Sequence, residues 1–332
     1  MQLPEPRGPL SAALAGALRG GEAPKVGRAP EDPLADDDLQ LSLFICHELL
    51  YGGFEDVPAE AEWDLGVIAF RRELEELMLA ALRERIEPPE GLDPGRVGEL
   101  IFELIERDEA PPFSRYVALR ADLGQFREFV VHRSAYQLKE ADPHTFALPR
   151  LRGPAKAAMV EIQADEYGGG EYERMHSRLF ARTMEALGLD SSYGAYVHLL
   201  PGTTLATVNL ISLFSLNRRW RGALVGHLAG FEITSPEPNR RYANGLRRLG
   251  FGPQATEFYD EHVEADSVHE NIAAYDLAGG LARQEHELAG DIVFGVQALL
   301  ETERAFVSRL LERWEAGRSS LLAPPARAAA AV

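Results

Sequence analysis

The run His262-Val-Glu-Ala-Asp266-Ser-Val-His269 sets two imidazoles and a carboxylate at positions i, i+4 and i+7. At 3.6 residues per turn these fall within about 60° of one another, on one face of one helix. Ala265, Val268, Ile272 and Ala273 adjoin that face, so the stripe is read as facing a core. Burying such a trio without partners would cost several kcal/mol. A divalent metal removes the cost by taking the lone pairs, and imidazole with carboxylate is a donor set that Fe²⁺ or Mn²⁺ accepts. Taken alone, the run fits a surface stretch with chance histidines equally well. Its companions decide.

Glu232 continues an apolar stripe through Val225 and Leu228, just before the helix stop Ser235-Pro236. Glu166 continues the stripe of Met159 and Ile162, and His176 opens one shared with Leu179, Phe180 and Thr183. A lone glutamate on such a stripe is usually a helix-end residue reaching for water. Several together, beside a two-histidine helix, are better explained by a shared metal centre. The inventory is His176, His262 and His269 with Glu166, Glu232 and Asp266. Six ligands fit two iron ions with positions open for O₂, and a bridging carboxylate can hold the ions close.

The elements that must position these residues are helical. Apolar periodicity predicts helices over 37–51, 63–86, 96–108, 113–139, 154–167, 171–187, 204–216, 218–234, 237–249, 254–279 and 281–316. Gly168-Gly169-Gly170 should break the chain between Glu166 and His176. No segment alternates with period two over a useful length, so an all-α fold is expected. The domain boundaries are set at 35–317, one helical domain. Residues 1–34, rich in Pro, Gly and Ala, are expected to form a disordered leader, and 318–332, with Pro324-Pro325 and an alanine run, a disordered tail.

Composition narrows the function classes. The 332-residue chain has a formal net charge of −18, which disfavours nucleic acid and anionic membrane surfaces as partners. No apolar run approaches the ~20 residues that span a bilayer, and Arg19, Glu22 and Lys25 interrupt any signal-peptide core. The single cysteine, Cys46, excludes an intrachain disulfide and a cysteine-built zinc or iron–sulfur site. It fits a reducing, cytoplasmic setting.

The ordered set Glu166, His176, Glu232, His262, Asp266 and His269 resembles the haem-oxygenase-like di-iron oxidases and oxygenases. The stretches EIQADEYGGGEYERMHSRLF and GHLAGFEITSPEPNRRYANGLRRLGF are similar to a branch of iron-containing redox enzymes, with likeness to the N-oxygenating domain of nitrosourea-forming enzymes. The resemblance covers residues of about 40–300. It implies a haem-oxygenase-like helical bundle with additional N-terminal helices, two Fe(II) ions of which the second is labile, O₂ as cosubstrate, an external electron donor and a homodimer. One ligand stays open. Glu173-Arg-Met-His176 is an E-x-x-H, the spacing of ferritin-like bundles, so Glu173 competes with Glu166. Glu166 is preferred because it lies on an apolar stripe, whereas Glu173 sits in a charged run.

His47, Glu48, Tyr167, Tyr259 and Tyr275 are candidates for orienting ligands or lining a pocket. Polar helix-end residues and aromatic core residues are the plainer reading of each. His227 is read as a structural histidine. The expected activity is N-oxygenation of an amine or amino-acid-like small molecule in specialised metabolism. Oxidative C–C cleavage, decarboxylation or desaturation is the enzymatic alternative, and iron binding without turnover is the non-catalytic one.

Overall fold

The computed structural model describes residues 1–89 and 91–322, the side chains of Asp266 and Ser267 apart. The helical periods resolve into α1 (Pro9–Leu18), α2 (Asp37–Glu48), α3 (Leu65–Arg85), α4 (Val97–Glu106), α5 (Phe113–Leu119), α6 (Leu123–Gln137), α7 (Asp142–Thr145) and α8 (Gly153–Glu166). Then come α9 (His176–Ala186), α10 (Gly202–Leu216), α11 (Arg221–Thr234), α12 (Pro236–Arg248), α13 (Pro253–Asn271), α14 (Gly279–Gln284) and α15 (Ala289–Glu315). No strand occurs among the described residues. The expected all-α fold is the one adopted.

Several expectations need correction. The leader is not disordered: α1 buries Leu10, Leu14 and Leu18, a stripe of period four that its Pro and Gly content obscured. Asp38 caps α1 by accepting from the amides of Leu10 (2.8 Å) and Ser11 (2.9 Å). The tail is packed as far as residue 322, since Leu321 is buried and the Ser320 amide donates to Glu128 at 2.8 Å; residues 323–332 lie outside the described ones. The helix expected over 113–139 is two helices. Asp122 accepts from the Gln125 amide (2.9 Å) and Gln125 accepts from the Asp122 amide (3.1 Å), a reciprocal cap that starts α6 afresh. The helix expected over 281–316 likewise breaks at Glu285, whose backbone is non-helical.

Two apolar clusters form the interior. The first joins α1–α4 to residues of α8, α10, α11 and α15; the second is built from α5, α6, α9, α12, α13 and the end of α15. Close packing of α11 on α15 depends on Gly226 and Gly295. A Cβ at Gly226 would meet the Ile292 carbonyl oxygen at 1.8 Å, and one at Gly295 the Ala223 carbonyl at 2.1 Å. The helices α8 and α11 belong to the first cluster and α9 and α13 to the second. The predicted ligands ride on these four helices, so the site lies where the two clusters join.

After α13 the chain continues as a π-helix, Ile272–Ala278, where the periodicity predicted α-helix. Such wide turns concentrate at functional sites. This one packs against α8, α11 and α4, directly after His269.

Candidate metal centre

Helix α8 ends at Glu166 as the sequence required. Gly168, Gly169 and Gly170 all adopt positive φ (61°, 63° and 87°), a turn that side chains disfavour. At Gly168 a Cβ would also strike the Arg174 carbonyl carbon at 2.5 Å. The turn brings His176, the first residue of α9, back onto Glu166: His176 Nδ1 lies 3.1 Å from Glu166 Oε2. Helix α13 presents His262 to the same point, its ring centroid 4.3 Å from that of His176. His269, two turns further along, reaches Glu232 of α11, Nδ1 to Oε2 3.4 Å. All five residues are buried.

These side chains form two groups whose ligand atoms lie within 4.8 Å of one another: Glu140, Glu166, His176 and His262, and Glu166, Glu232 and His269. Glu166 is common to both. Glu140 was missed by the sequence reading. It follows the end of α6 by three residues, in a turn that no apolar stripe marks, and its Oε2 comes to 3.8 Å from His262 Nε2. The Asp266 side chain lies outside the described residues, so its expected place rests on its spacing between the two histidines.

The geometry fits a metal better than a hydrogen-bonded network. Glu140 Oε2 and His176 Nδ1 are both buried, and neither makes a hydrogen bond. Bonds of about 2.1 Å to a divalent transition metal place neighbouring ligand atoms roughly 3.0–3.4 Å apart, the range of the 3.1 and 3.4 Å separations here. Tautomers are set from behind. His262 Nδ1 donates to the Phe258 carbonyl at 2.7 Å, which turns Nε2 toward Glu140. His269 Nε2 donates to Asp165 at 2.9 Å, which turns Nδ1 toward Glu232. Burial alone would raise the Glu166 carboxyl, but the imidazoles of His176, His262 and His269, when protonated, draw it down to about 2.

The remaining candidates separate. Glu173 is exposed and pairs with Arg178 at 3.5 Å, so the structure brings Glu166 rather than Glu173 to His176. His47 is buried elsewhere, between Asn209 (3.2 Å) and Glu75 (3.1 Å). Glu48 accepts from Lys139 (3.1 Å) and Tyr193 (2.8 Å), and so touches the neighbour of Glu140 rather than the cluster. Tyr167 donates to Asp142 at 2.7 Å. Tyr275 is exposed, its ring 5.8 Å from that of Phe102. Tyr259 is buried in the second apolar cluster. His227 makes a buried pair with His144 (3.2 Å), and burial pushes the His144 imidazole down to about 3. Val268, expected on the inward stripe, is 59% exposed. It stands about 100° from His269 around the helix, which turns it to solvent.

A cavity of about 40 Å³ lies against the cluster, walled by Glu140, Glu166, Glu232 and His262 together with Tyr136 and His144.

Residues 127–304, more than half of the chain, match the family described as iron-containing redox enzymes. The chain belongs to that family. All five buried cluster residues and Glu140 fall within the matched span, as does Asp266. This iron-containing redox enzyme is an oxidoreductase, and the resemblance to haem-oxygenase-like enzymes drawn from its motifs holds. It is 27% identical over 161 residues to the nitrosourea synthase of Streptomyces achromogenes subsp. streptozoticus; the match takes in 48% of this chain and 34% of that protein. Two crystal structures of a CADD-like protein of unknown function from Nostoc punctiforme PCC 73102 align with TM-scores of 0.52 and 0.53 at 14% and 15% identity. They cover 68% and 67% of this chain and 98% of the other in each case. These likenesses show a shared helical fold. A domain of unknown function with a heme oxygenase-like fold from Shewanella denitrificans OS217 aligns at a TM-score of 0.47, with 14% identity over 71% of this chain and 96% of that one. No helix among the described residues is long and apolar enough to cross a membrane.

Proposed function

We propose that this redox enzyme is an O₂-dependent, non-haem di-iron oxygenase that N-oxygenates an amine or amino-acid-like small molecule. The observation that carries the reading is the sharing of Glu166 by two buried groups of imidazole and carboxylate. Glu140, Glu166, His176 and His262 hold one ion; Glu166, Glu232, His269 and, by its spacing, Asp266 hold the second. Iron bound there supplies the redox chemistry that reduces O₂.

The chain's own residues do the rest. The Phe258 carbonyl and Asp165 fix the rings of His262 and His269, so both present a lone pair inward. The cavity of about 40 Å³ has room for a molecule the size of O₂ or for water in ones and twos. One oxygen atom goes to the substrate nitrogen and the other leaves as water, with two protons and two electrons from an external donor. Choice of nitrogen as the target draws on the similarity to the nitrosourea synthase, whose name denotes an N-nitroso product.

The test is anaerobic Fe(II) titration followed by ¹⁸O₂ and reductant with a panel of amines. Two ions per chain and a product heavier by one ¹⁸O on nitrogen are expected. Failure to bind iron overturns the reading, and so does a product cleaved at carbon with nitrogen unoxidised.

A further inference from the structure

A second pocket, of about 510 Å³, adjoins the small cavity across a shared wall. Tyr136, Gln137, Phe231, Ser235 and Asn239 line both spaces, and the rings of Tyr136 and Phe231 stand 5.3 Å apart there. This volume is in the range that holds small organic ligands.

The pocket's wall has a definite chemistry. Phe113, Phe129, Tyr242 and Tyr259 form a continuous aromatic surface, with successive ring centroids 5.2, 4.7 and 5.8 Å apart. Two polar atoms on it lack hydrogen-bond partners although they are buried: Gln137 Oε1 and the Tyr259 hydroxyl, the latter on a side chain 1% exposed. A buried polar group left unmatched costs free energy that a ligand can restore. Gln137 is the last residue of α6, three before Glu140, and it lines the cluster cavity itself. Its carboxamide stands on the wall common to both spaces, and its oxygen is an unmatched acceptor.

The cations of the pocket are already matched. Among the described residues its cations are Arg133 and Arg241. Arg133 forks onto Glu303 at 2.8 and 2.7 Å, and Arg241 pairs with Glu237 at 2.9 Å while donating to Ser114 at 3.2 Å. The wall carries three carboxylates, Asp108, Glu237 and Glu303, against two guanidinium groups, so a substrate carboxylate would meet an excess of negative charge there.

From this we infer that the substrate is an amine carried on a flat aromatic body without a carboxylate, its nitrogen held by Gln137 and its ring on the Phe113–Phe129–Tyr242 wall. The inference rests on the reading of the Glu166 cluster as the site of oxidation and narrows its substrate from amines and amino acids to arylalkyl amines. Aromatic walls favour rings by area and by edge-to-face contact, and they also attract an ammonium group.

Calorimetric titration of the Fe(II)-loaded full chain without O₂ tests this by binding alone. The probes are 2-phenylethylamine, n-hexylamine and L-phenylalanine. Binding of 2-phenylethylamine should be roughly ten-fold or more tighter than that of the other two, and Gln137→Leu should lose about ten-fold of it, the loss expected for one hydrogen bond to a charged group. Tyr242→Leu should erase the preference over n-hexylamine. Equal or tighter binding of L-phenylalanine overturns the inference, as does an unaltered affinity in Gln137→Leu. Should Gln137→Leu fail to fold, the ranking of the three probes on the wild-type chain still decides. Because no turnover is read, the expected ranking together with absent O₂ chemistry would retain this pocket assignment and remove the oxygenase reading.

Discussion

The imidazole of His269 is held between two carboxylates, with Asp165 Oδ2 2.9 Å from Nε2 on one side and Glu232 Oε2 3.4 Å from Nδ1 on the other. Asp165 is largely exposed, whereas His269 and Glu232 are buried, so the proton sits on the solvent side and the lone pair faces the cluster. A carboxylate behind a ligating histidine raises its basicity and fixes its ring. Asp165→Asn should therefore weaken the ion on the Glu232 side by about 10- to 100-fold and leave the other unaltered. Competition titration with a metal-sensitive dye reads the two affinities; equal weakening of both ions would contradict the geometry.

Ligand substitutions should give a stoichiometric pattern. Glu166→Ala is expected to release both ions, Glu140→Ala and Glu232→Ala one each, and Glu173→Ala neither, since that side chain is exposed. Iron analysis after anaerobic gel filtration reads the count. Metal-free Glu140→Ala should melt no lower than metal-free wild type, because it removes a buried carboxylate oxygen that no hydrogen bond satisfies. A Glu166→Ala protein retaining one tightly held ion would refute the shared carboxylate.

The two ends of the site differ in how far they could be read from sequence. His262 and His269 were legible because helical spacing alone puts them on one face, and Glu166, His176 and Glu232 because each extends an apolar stripe. Glu140 was not, since it follows Lys139 in a turn beyond α6 and only tertiary packing carries it to His262. Asp165 was hidden by its exposure, as its part is played through a neighbour's ring. The helices were legible in number and order where apolar repeats were long. They were misread where local chemistry overrides the repeat: at the Asp122–Gln125 cap, at the π-turns after Asn271, and in α1, where composition masked a short stripe.

Acid should destabilise the chain through His132. Its ring contacts Thr204 (2.7 Å) and Ser320 (2.9 Å), and burial, aided by the charges of Arg133 and Arg309, lowers its pKa from 6.5 to about 3. In the unfolded chain the group takes up a proton below about 6.5, which the folded chain refuses until about 3. Its contribution is thus complete above pH 6.5 and is lost as pH falls toward 3. Denaturant titrations of metal-free protein between pH 6 and 4 should show a slope shallower by about 1.4 kcal/mol per pH unit in His132→Gln than in wild type. An identical slope would mean that His132 is charged in the folded state.

The α11–α15 contact sets a strict limit on side-chain size. Gly226→Ala drives a methyl group into the Ile292 carbonyl and should cost about 3 kcal/mol or more, with the helices forced apart. Gly290→Ala, with nothing within 4 Å, should be neutral or mildly stabilising. Thermal unfolding compares the two directly, and a well-tolerated Gly226→Ala would show that the helices have slack.

Phe113 and Ser114, which wall the larger pocket, precede residue 127, where the family match begins, and every residue of the Glu166 cluster follows it. Phe129, Gln137 and Tyr242 complete that wall from within the matched span. The cluster thus comes wholly from one stretch of polypeptide and the pocket beside it from two, so that a substitution confined to the earlier stretch would reshape what is received and leave the ligands in place.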